Sequence, residues 1–140
     1  MTYRELMTLA ENARQHSYSP YSNFSVGAAL LCSDGTVYTG CNIENSSFSP
    51  TVCAERVAVF KAVSEGRRDF SAIAVVGGPA GKTLDRCAPC GVCRQVLSEF
   101  CGENFVVLLG NSERFKEHKL GKLIPLAFSE IDVGIKETNL

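Results

Sequence analysis

Two apolar runs, Ala72-Ile73-Ala74-Val75-Val76 and Phe105-Val106-Val107-Leu108-Leu109, bracket the segment Pro89-Cys90-Gly91-Val92-Cys93-Arg94-Gln95-Val96-Leu97. Unbroken apolar runs of this length describe strands covered on both faces. Pro89 cannot continue a helix backwards, whereas Arg94 to Leu97 can continue one forwards. Cys90 and Cys93 therefore sit at a helix start, and that helix stops near Gly102. Strand, helix and strand make a βαβ unit, the building block of an α/β protein.

Upstream, Val26 to Cys32 reads as a strand, Ser33-Asp34-Gly35-Thr36 as a hairpin turn, and Val37 to Ile43 as the returning strand. Asn45 to Thr51 is a polar loop. It leads to a helical stretch from Ala54 to Glu65, opened by Cys53 and ended by Gly66. Thr2 with Glu5 forms a capping-box pattern. Leu6, Met7, Ala10 and Ala13 then recur at helical spacing and extend a first helix to about His16. Beyond Arg114, a short strand and a short helix precede Pro125. The expected architecture is one α/β domain over residues 1–140: three α/β/α layers, with a mixed sheet of about five strands and helices on both faces. In this layout the two cysteine-bearing helix starts meet at one edge of the sheet, where open α/β sheets commonly bind ligands.

The chain has 140 residues, 45% of them apolar and 21% charged, enough for a globular core. Its net charge of −1 offers no electrostatic footprint for a polyanion, so nucleic acid is not an expected partner. Residues 1–7 hold no apolar run of signal-peptide length, and no stretch reaches the length of a membrane span. A cytoplasmic protein with no membrane partner is expected. Its seven cysteines then read as reduced thiols and metal ligands, and an odd number cannot pair fully within one chain. Cys32, Cys41 and Cys101 lie in apolar stretches and read as small core residues. Cys87 stays open.

The chemistry lies in a split motif. Cys53-Ala54-Glu55 is followed, 36 residues after Cys53, by Pro89-Cys90-Gly91-Val92-Cys93. Three thiolates can hold tetrahedral zinc and leave its fourth position for water. Helix starts carry partial positive charge and free N–H groups, which favour thiolates. Glu55, two residues after the first thiolate, is placed to move protons. Three thiolates on one dication leave a net negative site, and Arg56 is the cation positioned to offset that charge. Two other readings of the cysteines stand beside this one. Cys87 as a fourth thiolate would close a structural zinc shell. Cys87-x-x-Cys90-x-x-Cys93 also looks like an iron–sulfur run, but the next cysteine, Cys101, comes after seven residues with no proline behind it. Neither reading uses Glu55, which alone would serve only the helix dipole.

The C-x-E … P-C-x-x-C pattern is the signature of the zinc-dependent nucleoside and nucleobase deaminases. The chain resembles the small homotetrameric cytidine deaminases over nearly its whole length. The matching segments run from Tyr18 to Ala29, from Gly40 to Asn45, from Cys53 to Arg56 and from Pro89 to Gln95, with Pro125 and Phe128 near the C-terminus. The resemblance implies one zinc per subunit on Cys53, Cys90 and Cys93, with Glu55 as proton shuttle. It implies hydrolytic deamination of cytidine and 2′-deoxycytidine in pyrimidine salvage. It also implies that Asn42 and Glu44 bind the ribose hydroxyls, Phe24 packs on the pyrimidine and the Ala54 N–H binds the pyrimidine carbonyl. Phe128 would reach a neighbouring subunit's site, and Ser46 to Phe48 would contribute across an interface.

On pattern alone, Asn42 and Glu44 end a strand, and Phe24 and Phe128 are core aromatics. Tyr21 packs or binds. A deaminase of a cytosine-containing nucleoside antibiotic shares the three-cysteine site, but Asn42-Ile43-Glu44 and Phe24 favour cytidine. The non-enzymatic alternative is a zinc-stabilised binding module, which a closed four-thiolate shell including Cys87 would mark.

Overall fold

The computed structural model describes residues 1–135. Helix α1 (Tyr3–Ala13) runs into one 3-10 turn (Arg14–His16). Then come β1 (Phe24–Cys32), β2 (Val37–Cys41), α2 (Ala54–Ser64), β3 (Phe70–Pro79), α3 (Gly91–Phe100), β4 (Val106–Gly110), β5 (Phe115–Lys119) and α4 (Leu120–Leu123). The capping box at Thr2 forms in both directions: its hydroxyl accepts from the Glu5 N–H at 3.1 Å, and the Glu5 carboxylate accepts from the Thr2 N–H at 2.7 Å.

The five strands form one mixed sheet in the order β2-β1-β3-β4-β5. β3 and β4 are parallel and joined through α3, as the two apolar runs predict. The other pairs are antiparallel. The path from β2 through α2 to β3 differs from a simple βαβ unit, because β1 lies between the two strands. β1 has nine residues and pairs along its length with β3, while also holding β2 on its other edge.

Alternation along the strands divides the core in two. Ala29, Ala72, Ala74, Val76 and Leu108 face α1, where they bury Leu6, Met7 and Ala10 completely. Ala28, Leu30, Ile73, Val75, Val107 and Leu109 face the other way and pack with α2, α3 and α4 through Ala58, Val59, Ala62, Leu97 and Leu120. The apolar runs are unbroken because each strand feeds both cores. Each large side chain buried here contributes roughly 1.5–3 kcal/mol.

The α2 layer is seated unusually close. A Cβ on Gly40 of β2 would lie 2.4 Å from the Ala54 carbonyl oxygen and 2.7 Å from the Ala58 N–H nitrogen. The first turn of α2 therefore rests directly on the β2 backbone.

The returning strand ends at Cys41, short of the expected Ile43. Ile43 instead makes single bridges to Tyr18 and to Val52. Those bridges turn the chain away from the sheet and carry it toward Cys53. Of the three cysteines expected in the core, Cys32 is buried, whereas Cys41 and Cys101 are half-buried. Among the described residues, no helix is long and apolar enough to cross a membrane.

Candidate active site

Cys53 is the N-cap of α2 and Cys90 is the N-cap of α3, both with extended backbone geometry. The two helix starts converge. Cys53 Sγ lies 3.7 Å from Cys90 Sγ, which lies 3.6 Å from Cys93 Sγ. Three sulfurs on one tetrahedral zinc, at about 2.3 Å each, stand roughly 3.8 Å apart. The donor set therefore fits zinc in both spacing and chemistry. Cys87 lies outside this group among the described residues. Its sulfur instead fills the space over Gly77, 2.5 Å from where a Cβ there would sit, and burial pushes its thiol up to about 11. This favours three thiolates over a closed four-thiolate shell.

Hydrogen bonds from Cys93 and from Arg56 to its sulfur hold the Cys53 thiol below its usual range, at about 5. Arg56 Nη2 donates to Cys53 Sγ at 3.5 Å. Its Nε is buried with no partner among the described residues, an arrangement that costs about 1–3 kcal/mol. The guanidinium is thus held at the thiols, one turn from the residue it serves.

Glu55 lies in the first turn of α2 and is only 4% exposed, the one buried charged residue among the described residues. Burial pushes its carboxyl up to about 7, opposed by its backbone hydrogen bond and reinforced by the Cys53 charge. A carboxyl group held near neutrality can both accept and release a proton. Ala54, fully buried, precedes it at the first helical position, where the N–H has no acceptor within the helix.

The other candidate residues form a polar cluster beside the bridge at Ile43. The Asn42 side-chain oxygen accepts from Ser17 Oγ and from the Val26 N–H, and its Nδ2 donates to the Phe24 carbonyl at 2.9 Å. Both lone pairs and one N–H are used within the protein, so Asn42 has one N–H to offer a ligand. Glu44 accepts from the N–H groups of Tyr21 and Ser22 and from the Ser22 hydroxyl. The Ser22 hydroxyl chiefly holds its carboxyl below the usual range, so Glu44 stays ionised. Glu44, Tyr21, Ser22, Phe48 and Thr51 line one cavity of about 290 Å³.

Tyr21 meets Phe48 edge to face, with ring centres 5.9 Å apart. Phe48 has a left-handed φ of 63° and is 69% exposed, and Ser46 is exposed in the same loop. Phe24 is half-buried at the start of β1. Phe128 is 61% exposed, which rules out the core-aromatic reading for it.

Ser17 and Ser22 orient Asn42 and Glu44; Ser17 is marked in the sequence only by a turn-rich stretch, and Ser22 only by lying in the matching segment Tyr18 to Ala29. Arg14 is a third such residue. Its guanidinium donates to Ser25 O and Oγ, to the carbonyls of Gly78 and Pro79, and to the Lys82 carbonyl at 2.6 Å. It pins the loop between β3 and α3 to the start of β1.

Residues 1–109 match the family model described as the cytidine and deoxycytidylate deaminase zinc-binding region. The chain belongs to the cytidine and deoxycytidylate deaminase family. Within that family it is similar to a cytidine deaminase of Sporosarcina psychrophila, with 50% identity over 96% of this chain and 96% of that protein. A blasticidin-S deaminase of Bacillus cereus is 35% identical over 74% of this chain and 76% of its own length. Among solved structures, a cytidine deaminase from Burkholderia pseudomallei superposes with a TM-score of 0.83 at 46% identity, covering 91% of this chain and all of that one. One from Mycobacterium tuberculosis gives 0.76 at 42% identity, covering 91% and 98%. Family membership and the three-thiol group together make zinc the metal of this deaminase site.

Proposed function

We propose that the protein, one domain over its 140 residues, is a zinc-dependent cytidine deaminase. It hydrolyses cytidine and 2′-deoxycytidine to uridine and 2′-deoxyuridine and releases ammonia. The observation that carries this reading is the buried Glu55, two residues beyond Cys53 and next to a three-thiol group that Cys87 does not close.

Cys53, Cys90 and Cys93 hold the metal. Bound zinc supplies a Lewis acid that brings the pKa of a water molecule toward neutrality. Glu55 takes a proton from the hydrolytic water and delivers it to ring nitrogen 3, which makes carbon 4 electrophilic toward that water's oxygen. It then moves the second proton from that oxygen to the exocyclic amine, so the carbon–nitrogen bond breaks, ammonia leaves and carbon 4 keeps the oxygen as the uridine carbonyl. The Ala54 N–H donates to the pyrimidine carbonyl and Phe24 packs against the ring. The free Asn42 N–H and the ionised Glu44 carboxylate hold the ribose hydroxyls. Arg56 offsets thiolate charge so that the metal keeps its acidity.

The protein works in cytoplasmic pyrimidine salvage as a homotetramer with shared sites. Phe128 is delivered to a neighbour, and Ser46 and Phe48 contribute across an interface. The exposure of Phe48, Leu126 and Phe128 supports the assembly, because large apolar side chains grouped at a surface mark interaction sites.

The test is cytidine turnover followed by the ultraviolet change, with zinc measured on the same sample. Glu55→Gln should keep zinc and lose at least about 10²-fold in kcat. Substantial turnover in that variant would reject the proton-shuttle role. No turnover by the zinc-loaded wild type would reject cytidine as the substrate.

A further inference from the structure

Arg94 and Gln95 follow the metal ligands on α3, and neither belongs to the thiol group. Arg94 donates from Nε to the Pro89 carbonyl and from Nη1 to the Leu123 carbonyl, each at 2.8 Å. Pro89 is the residue before Cys90, and Leu123 ends α4. Gln95 donates from Nε2 to the Phe128 carbonyl at 2.9 Å. One helical turn thus holds the backbone entering the metal loop and both ends of the segment 123–128. All three acceptors are main-chain carbonyls, so these side chains fix a chain path rather than recognise a neighbour's side chain.

The path between the two anchors is strained. Leu126 has φ of +50°, in the left-handed region, with its side chain fully in solvent. A non-glycine residue persists there only when its surroundings over-determine it. The anchors at Leu123 and Phe128 flank it on both sides. The bend they impose leaves Phe128 mostly exposed instead of folded onto α3.

We infer that Arg94 and Gln95 are positioning residues that present Phe128 to the active site of a second copy of this chain and lock the same turn to the Cys90 loop. The inference rests on the shared-site role of Phe128 proposed above, and it adds the device that aims Phe128 and links it to the metal loop.

Gln95→Met and Gln95→Glu keep the side-chain length but remove the amide donor. Both are compared with Phe128→Ala in full-length, zinc-loaded protein with cytidine as substrate. The Gln95 variants should raise KM by about fivefold, in the same direction as Phe128→Ala, with kcat within about twofold. Their zinc content should be unchanged and their Tm should stay within about 2 °C of wild type.

Arg94→Lys cannot span both carbonyls and should release zinc to a chelator about tenfold faster, a reading that needs no substrate. An unchanged KM in Phe128→Ala would remove the shared-site role itself. A raised KM in Phe128→Ala but not in the Gln95 variants would overturn the positioning role alone, as would Gln95 variants in which kcat and Tm fall along with the rise in KM. Wild-type zinc release from Arg94→Lys would overturn the link to the metal loop.

Discussion

Replacing Gly40 with alanine probes how the sheet sets the active site. The new Cβ would lie 2.4 Å from the Ala54 oxygen, 2.7 Å from the Ala58 nitrogen and 3.0 Å from Val57 Cβ. The first two atoms are backbone groups of the opening turn of α2, so no side chain can rotate away. An ordinary contact begins at 3.4 Å, so the turn must retreat by about 1 Å. That turn carries Cys53, Ala54 and Glu55.

Overpacking of this kind costs about 1–3 kcal/mol of stability, roughly 3–10 °C in Tm. Displacing catalytic groups by about 1 Å costs on the order of 10²-fold in rate. Gly27→Ala is the control. Its Cβ would meet the Ala10 carbonyl oxygen at 2.0 Å and the Arg14 backbone nitrogen at 2.8 Å, a comparable clash that reaches the site only through the Arg14 tether and not through the α2 turn. Both variants should lose Tm, and Gly40→Ala should lose far more kcat per zinc-loaded molecule than Gly27→Ala. Thermal melts, zinc analysis and steady-state kinetics on the two proteins decide it. An unchanged kcat in Gly40→Ala, or an equal loss in Gly27→Ala, would refute the claim that β2 positions the α2 turn.

Arg56→Gln should lower kcat by about tenfold while changing KM for cytidine by less than about threefold, because a charge-assisted contact to Cys53 is lost and the nucleoside contacts remain. An unchanged rate at unchanged zinc content argues against charge tuning. Cys87→Ser should keep one zinc per chain and wild-type turnover, since Cys87 packs over Gly77 and lies outside the thiol group; zinc loss in this variant would return Cys87 to the ligand set. Rates on cytidine, deoxycytidine and blasticidin S should favour the first two by orders of magnitude, and the reverse order would assign the antibiotic as substrate. Light scattering should give four times the chain mass, and a fully active monomer would remove the shared sites.

Much of the fold is legible because its signals are local. Thr2 and Glu5 cap α1 within one turn, Asp34-Gly35 makes a hairpin, and unbroken apolar runs mark strands that feed two cores. The position of β1 between β2 and β3 is not local. It follows from pairing nine residues of β1 with β3, across a separation that no short window contains. The thiol site is legible for the same local reason: a proline before a C-x-x-C pair and a Cys-x-Glu each fix a helix start. The contacts that hold the site are less visible. Arg14, Arg94 and Gln95 act on carbonyls, which every residue has, so neither the identity nor the spacing of the acceptor leaves a mark in the sequence.

The sequence by itself marked the three thiols that cluster, the Glu55 buried beside them and the layered α/β architecture, because these depend on residue type and on spacing within one helix or strand. The tertiary structure decided three further points. Cys87 was placed outside the thiol group by its packing against Gly77. Asn42 was left with one free N–H because three groups from β1 and the preceding loop consume the rest of its amide. Phe128 was turned outward by two anchors on α3. Each is a competition between partners distant in the chain, settled by which groups the fold brings within hydrogen-bonding or packing distance.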